Sequence, residues 1–141
     1  MKTRGKNKRS EAPFFRKSKS FSLKARFGSF AYAYRGLCLL VSREHNAWIH
    51  LAAIVFVIAA GVYFEITEFE WCAIVFAIGL VWTAEALNTA IEYLADALCP
   101  EKNERVGKAK DLAAAGVLLA ALTAVFIGLI VLGPYVSDWF G

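Results

Sequence analysis

Hydrophobic and polar positions divide this chain into one segment of helical period and three long apolar runs. Phe27, Phe30, Ala31, Tyr34, Leu37, Cys38 and Val41 recur at spacings of three and four, while Arg26, Arg35 and Arg43 fall off that stripe. The spacing predicts an amphipathic helix over 25–43. It would lie on a membrane surface; the alternative is a helix packed onto the bundle. Residues 46–64 hold no Asp, Glu, Lys or Arg, and neither do residues 112–132. Residues 69–84 carry one charge, Glu70, and then run into the acidic stretch WTAEALNTAIEYLADALCP. A span needs about 20 predominantly apolar residues, so the pattern predicts spans over 46–64, 69–98 and 109–132.

Composition turns that pattern into a class. The chain is 58% hydrophobic and 14% aromatic over 141 residues, too apolar for an ordinary soluble domain of this length. The expected fold is all-α and integral to the membrane, with three transmembrane helices and an N-terminal amphipathic surface helix. Residues 1–24 form a basic tail with no assigned structure, and 25–141 a single membrane domain. The first 26 residues are strongly basic, but no apolar core of a cleavable signal follows them. Such a tail suits anionic headgroups, and no nucleic-acid partner is expected. Cys38, Cys72 and Cys99 are widely spaced, without metal-ligand spacing, and read as small hydrophobic fillers.

Charge then sets an orientation. With residues 1–45 and 98–111 on one side, all 16 Lys and Arg fall there. The other side receives the acidic loop EITEFE and Asp138. Lys/Arg bias places the basic side in the cytoplasm, so the expected N-terminus is cytoplasmic and the C-terminus outside.

The acidic stretch carries the candidate chemistry. At roughly 100° per residue, Glu85, Asn88, Glu92 and Asp96 fit within about 80° of one helix face. If the second span enters near Phe69, about 20 residues carry it to Asn88. Glu85 and Asn88 then sit at the inner edge of the hydrocarbon, with Glu92 and Asp96 towards the cytoplasm. Glu44 precedes the first span at the same level. Lys110 and Asp111 open the third, at a helix start that favours anions. Carboxylates from two helices and a lysine suit Mg²⁺ and phosphate, because Mg²⁺ is commonly held by one or two carboxylates plus substrate phosphates. No GxxxxGK[ST] is present, so phosphate binding would not use a Walker A loop.

EALNTAIEYLAD, residues 85–96, resembles the signature of the prokaryotic diacylglycerol kinase family, which includes undecaprenol kinases. RGL at 35–37, REHN with Glu44, IHL at 49–51, EW at 70–71 and AKDLAAAGVLLAA at 109–121 extend the resemblance to about residues 27–132. It implies an ATP- and Mg²⁺-dependent lipid kinase of the bacterial cytoplasmic membrane, a homotrimer with sites at subunit interfaces. By position, Glu85 would be the general base, and Glu44 and Glu92 would hold Mg²⁺. Asn88, Asp96, Lys110 and Asp111 would position nucleotide and phosphates, and Arg26 matches an N-terminal arginine of the family. Ala47 and Trp48 stand where many relatives carry an aromatic and then a basic residue. The motifs are more similar to the undecaprenol kinase branch; phosphorylation of diacylglycerol to phosphatidic acid is the alternative.

Two readings from other classes compete with a kinase. A lone acid in a span is a usual proton site, which would suit a small proton-coupled transporter, although no inverted repeat is evident. A structural membrane subunit would need the acids only to solvate a helix end. Separately, Gly116, Ala120, Ala124 and Gly128 recur every four residues, a spacing that lets helices approach closely in lipid. That stripe is expected in the bundle or trimer core.

Overall fold

The computed structural model describes residues 23–43 and 45–141. Four helices account for nearly all of them: α1 (Leu23–Arg43), α2 (His45–Tyr63), α3 (Glu68–Leu98) and α4 (Glu104–Phe140). The last three are each long and apolar enough to cross a membrane. The basic tail and Glu44 lie outside the described residues, as does the side chain of Arg26.

α3 and α4 form a long antiparallel pair, fastened at both ends. Tyr135 Oη donates to Glu70 Oε2 at 2.8 Å at one end, and Lys110 Nζ reaches Asp96 Oδ1 at 2.9 Å at the other. At 1.5 Å per residue, the 31 residues of α3 extend about 46 Å and the 37 of α4 about 55 Å. Both exceed a hydrocarbon layer of about 30 Å.

A tight turn returns α2 into α3. Ile66 N donates to Gly61 O at 3.1 Å, and Glu65 takes a left-handed φ of 51° to allow it. The turn packs so closely that a Cβ on Gly61 would lie 2.9 Å from the Trp71 ring and 3.0 Å from Ile66 Cδ1. Thr67 then caps α3. Its side chain accepts from Glu70 N, while Thr67 N donates to Glu70 Oε2 at 2.7 Å, a reciprocal capping box. Ile66, Ile74 and Val131 are buried here, with Phe64, Trp71 and Tyr135 packed against them. The apolar core of the chain therefore sits at the α2–α3 turn.

The α4 helix is longer than the third span read from sequence. It starts at Glu104, capped by Asn103 Oδ1, which accepts from Arg105 N at 3.0 Å and Val106 N at 3.3 Å. It also passes through Pro134 and ends at Phe140, although proline removes one rung of the helical ladder. Aromatic contacts offset that loss: Tyr135 stacks on Phe64 at 5.8 Å, and Trp139 meets Tyr63 edge-on at 5.5 Å.

Along α1, Phe30, Tyr34 and Leu37 are exposed and Leu40 is buried. The apolar stripe is thus not covered by the bundle of its own chain, as the surface-helix reading requires. The small-residue stripe of α4 is divided. Ala120 is buried, but a Cβ on Gly116 or Gly128 would meet nothing within 4 Å.

Candidate active site

The buried positions of α3 are Ile74, Ala77, Val81, Glu85, Asn88 and Thr89. Their three- and four-residue spacing makes one continuous face. That face is apolar through Val81 and polar from Glu85 onward. Glu85 therefore does not look into lipid. It is only 3% exposed, Asn88 8% and Thr89 6%.

The polar half of this face leads out to solvent. Asn88 Nδ2 donates to Glu92 Oε1 at 3.2 Å, so the first buried amide of the stripe orients its next carboxylate. Glu92 is half-buried and Asp96 exposed. Asp96 in turn holds Lys110 across the helix pair. Four of the residues expected in the site, Asn88, Glu92, Asp96 and Lys110, thus form two linked pairs below Glu85.

Lys110 and Asp111 need a correction. They do not open α4, which begins at Glu104, so Lys110 lies about 9 Å beyond the helix start. The terminal amides that favour anions belong to the first turn, where Asn103 already accepts two of them. Lys110 can therefore act on an anion through its ammonium group, without help from the helix dipole. Asp111 is exposed and points roughly 100° away from Lys110 around the helix.

Between α2, α3 and α4 a cleft of about 270 Å³ opens against Glu85 and Asn88. Asn46 and His50 line it from α2, and Val117, Leu118 and Ala121 from α4. Its mixed lining suits a molecule with one polar end. Asn46, His50 and Thr89 were not picked out by sequence reasoning. The available signal was polar residues four apart in an otherwise apolar span, Asn46 with His50 and Glu85 with Thr89. Ala47, also on α2, is buried and Trp48 exposed.

Two buried oxygens of this region, Asn88 Oδ1 and Thr89 Oγ1, have no hydrogen-bond partner among the described residues. Leaving a buried acceptor unmade costs about 1–3 kcal/mol, a cost that a bound group could remove. Among the described residues no three His, Cys, Asp or Glu side chains converge as a ready cation cage. The oxygens of Glu92 and Asn88 are nonetheless hard donors of the kind Mg²⁺ accepts, and that ion normally completes its shell with water and phosphate.

A buried carboxylate at the head of a polar stripe, beside an amphiphilic cleft and above a lysine, is what the sequence motif places in context. The family model described as prokaryotic diacylglycerol kinase matches residues 31–132. The chain belongs to the prokaryotic diacylglycerol kinase family. It is a lipid kinase of that family, with transmembrane helices α2, α3 and α4. Undecaprenol kinase of Bacillus subtilis is 35% identical over 108 residues, covering 77% of this chain and 88% of the relative. A diacylglycerol kinase of Synechocystis is also 35% identical, over 101 residues, covering 71% of this chain and 58% of the relative. The diacylglycerol kinase of Escherichia coli K12 is 29% identical over 108 residues, covering 72% and 83%.

Proposed function

We propose that this kinase transfers the γ-phosphate of ATP to the hydroxyl of a membrane lipid alcohol, with undecaprenol as its substrate. The observation that carries the reading is Glu85, buried where the α3 face turns polar and lining a cleft with an apolar wall. The undecaprenol kinase relative combines 35% identity with 88% coverage, which neither diacylglycerol kinase does, and this supports the polyprenol over diacylglycerol.

In this mechanism the lipid chain stays among Val117, Leu118 and Ala121 while its hydroxyl meets Glu85. Glu85 takes the hydroxyl proton as the alcohol oxygen forms its bond to the γ-phosphorus. The bond from that phosphorus to the ADP oxygen breaks, and ADP leaves with the electron pair. Such transfer depends on in-line positioning and charge neutralisation more than on covalent chemistry. Lys110 supplies a positive charge for the phosphates, oriented by Asp96. Asn88 fixes Glu92. Glu92, together with Glu44, would hold Mg²⁺, which when bound neutralises phosphate charge. The Lys/Arg distribution supports a cytoplasmic site and N-terminus, with the C-terminus outside. The exposed α1 stripe and the open Gly116 and Gly128 positions support a homotrimer in which neighbouring copies complete the site.

The test is direct. Detergent-solubilised protein is incubated with γ-labelled ATP, Mg²⁺ and either undecaprenol or diacylglycerol. Label should enter undecaprenol faster. Faster labelling of diacylglycerol would overturn the substrate, and labelling of neither would overturn the transfer itself.

A further inference from the structure

His50 is a polar side chain that this mechanism leaves without a task. It is the last polar residue of α2 before an unbroken apolar run from Leu51 to Phe64. Such a residue in a span is costly unless it is used or paired. It is half-buried and lines the same cleft as Glu85. Asn46 lines that cleft one turn nearer the α1 end of the helix.

The chemistry of an alcohol acceptor explains this placement. For Glu85 to remove its proton, the hydroxyl must donate to the carboxylate, and its oxygen lone pairs then need a donor to fix their direction. On α3, the Asn88 amide gives one of its two N–H groups to Glu92. On α4, the cleft is lined by Ala114, Val117, Leu118 and Ala121, none with a side-chain donor. Among the described residues lining the cleft, the side-chain donors on the wall opposite α3 are Asn46 and His50 of α2, and His50 lies deeper in the span. A second observation favours a polar occupant. Asn88 is among the lining residues of the cleft, and its Oδ1 is buried with no partner among the described residues. Among the described residues the lining contains no Lys or Arg, so it offers an anionic group no counter-charge, which favours a neutral alcohol over a phosphate.

We propose that His50 is a positioning residue for the lipid acceptor. Its ring N–H donates to the oxygen of a neutral lipid alcohol and leaves the hydroxyl proton directed towards Glu85. The inference rests on the lipid kinase reading and assigns the α2 wall of the site to the acceptor rather than to the nucleotide.

Full-length His50→Leu and His50→Gln proteins test it, assayed with undecaprenol and with diacylglycerol at varied MgATP. Leucine is well tolerated in a span, and glutamine retains a donor. With whichever alcohol the wild type phosphorylates, His50→Leu should raise the KM for lipid about tenfold while leaving the KM for MgATP unchanged. His50→Gln should recover most of that loss. An unchanged lipid KM in His50→Leu would overturn the assignment, as would both KM values rising together or equal defects in the two variants. A wild type that phosphorylates neither alcohol would instead remove the kinase reading on which the inference stands. Should His50→Leu elute as an aggregate on size exclusion, His50→Met, which also lacks a donor, replaces it; should His50→Gln do so, His50→Asn, shorter but still a donor, replaces that.

Discussion

Tyr135 Oη lies 2.8 Å from Glu70 Oε2, joining residues 65 positions apart at the end of the molecule away from Glu85. The same carboxylate oxygen accepts from Thr67 N at 2.7 Å and Thr67 Oγ1 at 2.8 Å. One side chain thus starts α3, closes the α2–α3 turn and fastens the far end of α4. A hydrogen bond to a charged group is stronger than one between neutral groups. Tyr135→Phe should therefore lower the unfolding midpoint and leave kcat nearly unchanged. Thermal unfolding in detergent together with the labelled-ATP assay checks both halves. A large fall in kcat at unchanged stability would show that the two ends are not separable.

At the other end, Glu85→Gln keeps the shape of a side chain that is 3% exposed but removes the base. General base catalysis contributes about 10²- to 10⁴-fold, so phosphoryl transfer should fall by that range while the unfolding temperature hardly moves. A rate within a few-fold of wild type would exclude Glu85 as the proton acceptor.

Glu92→Gln separates metal from base. A glutamine can still accept from Asn88 Nδ2, which lies 3.2 Å from Glu92 Oε1, so the local geometry should persist. The Mg²⁺ needed for half-maximal rate should rise about tenfold, because one charged oxygen donor is lost. The measurement is a metal titration at saturating ATP and lipid. An unmoved midpoint would show that Glu92 is not a ligand.

Two glycines should respond in opposite directions. A Cβ on Gly61 would press on Trp71 at 2.9 Å, whereas one on Gly79 meets nothing within 4 Å. Overpacking costs about 1–3 kcal/mol, against a helix gain of about 0.5–1 kcal/mol for replacing glycine by alanine. Gly61→Ala should therefore destabilise and Gly79→Ala stabilise, as read from detergent unfolding midpoints. A stabilised Gly61→Ala would mean that the turn adapts more freely than its contacts indicate.

Much of the architecture was legible because three apolar runs of spanning length can hardly be anything but membrane helices. The row from Glu85 to Asp96 was legible as well, since helical period alone aligns it. Its burial was not. Val81 and Ile74 suit lipid as well as they suit α4, and in a membrane apolar composition does not identify the packed face. The start of α4 was missed because Asn103 and Glu104 sit in a polar turn that pattern reading leaves to the loop. Its passage beyond Pro134 was missed for another reason: it is supported by Tyr135 and Trp139 contacts with residues far away in sequence. Asn46 and His50 stand in an uncharged run with nothing to mark them, and only the folded chain brings them to Glu85.

The single face of α3 that runs from Ile74 to Asn88 makes the helix a rigid shaft, with the oily grip at one end and the reactive group at the other. Its angular setting is fixed by the grip. Inserting one residue between Val81 and Glu85 would swing the whole acidic row roughly 100° around the axis, turning Glu85 and Asn88 away from their partner helix without altering a single side chain.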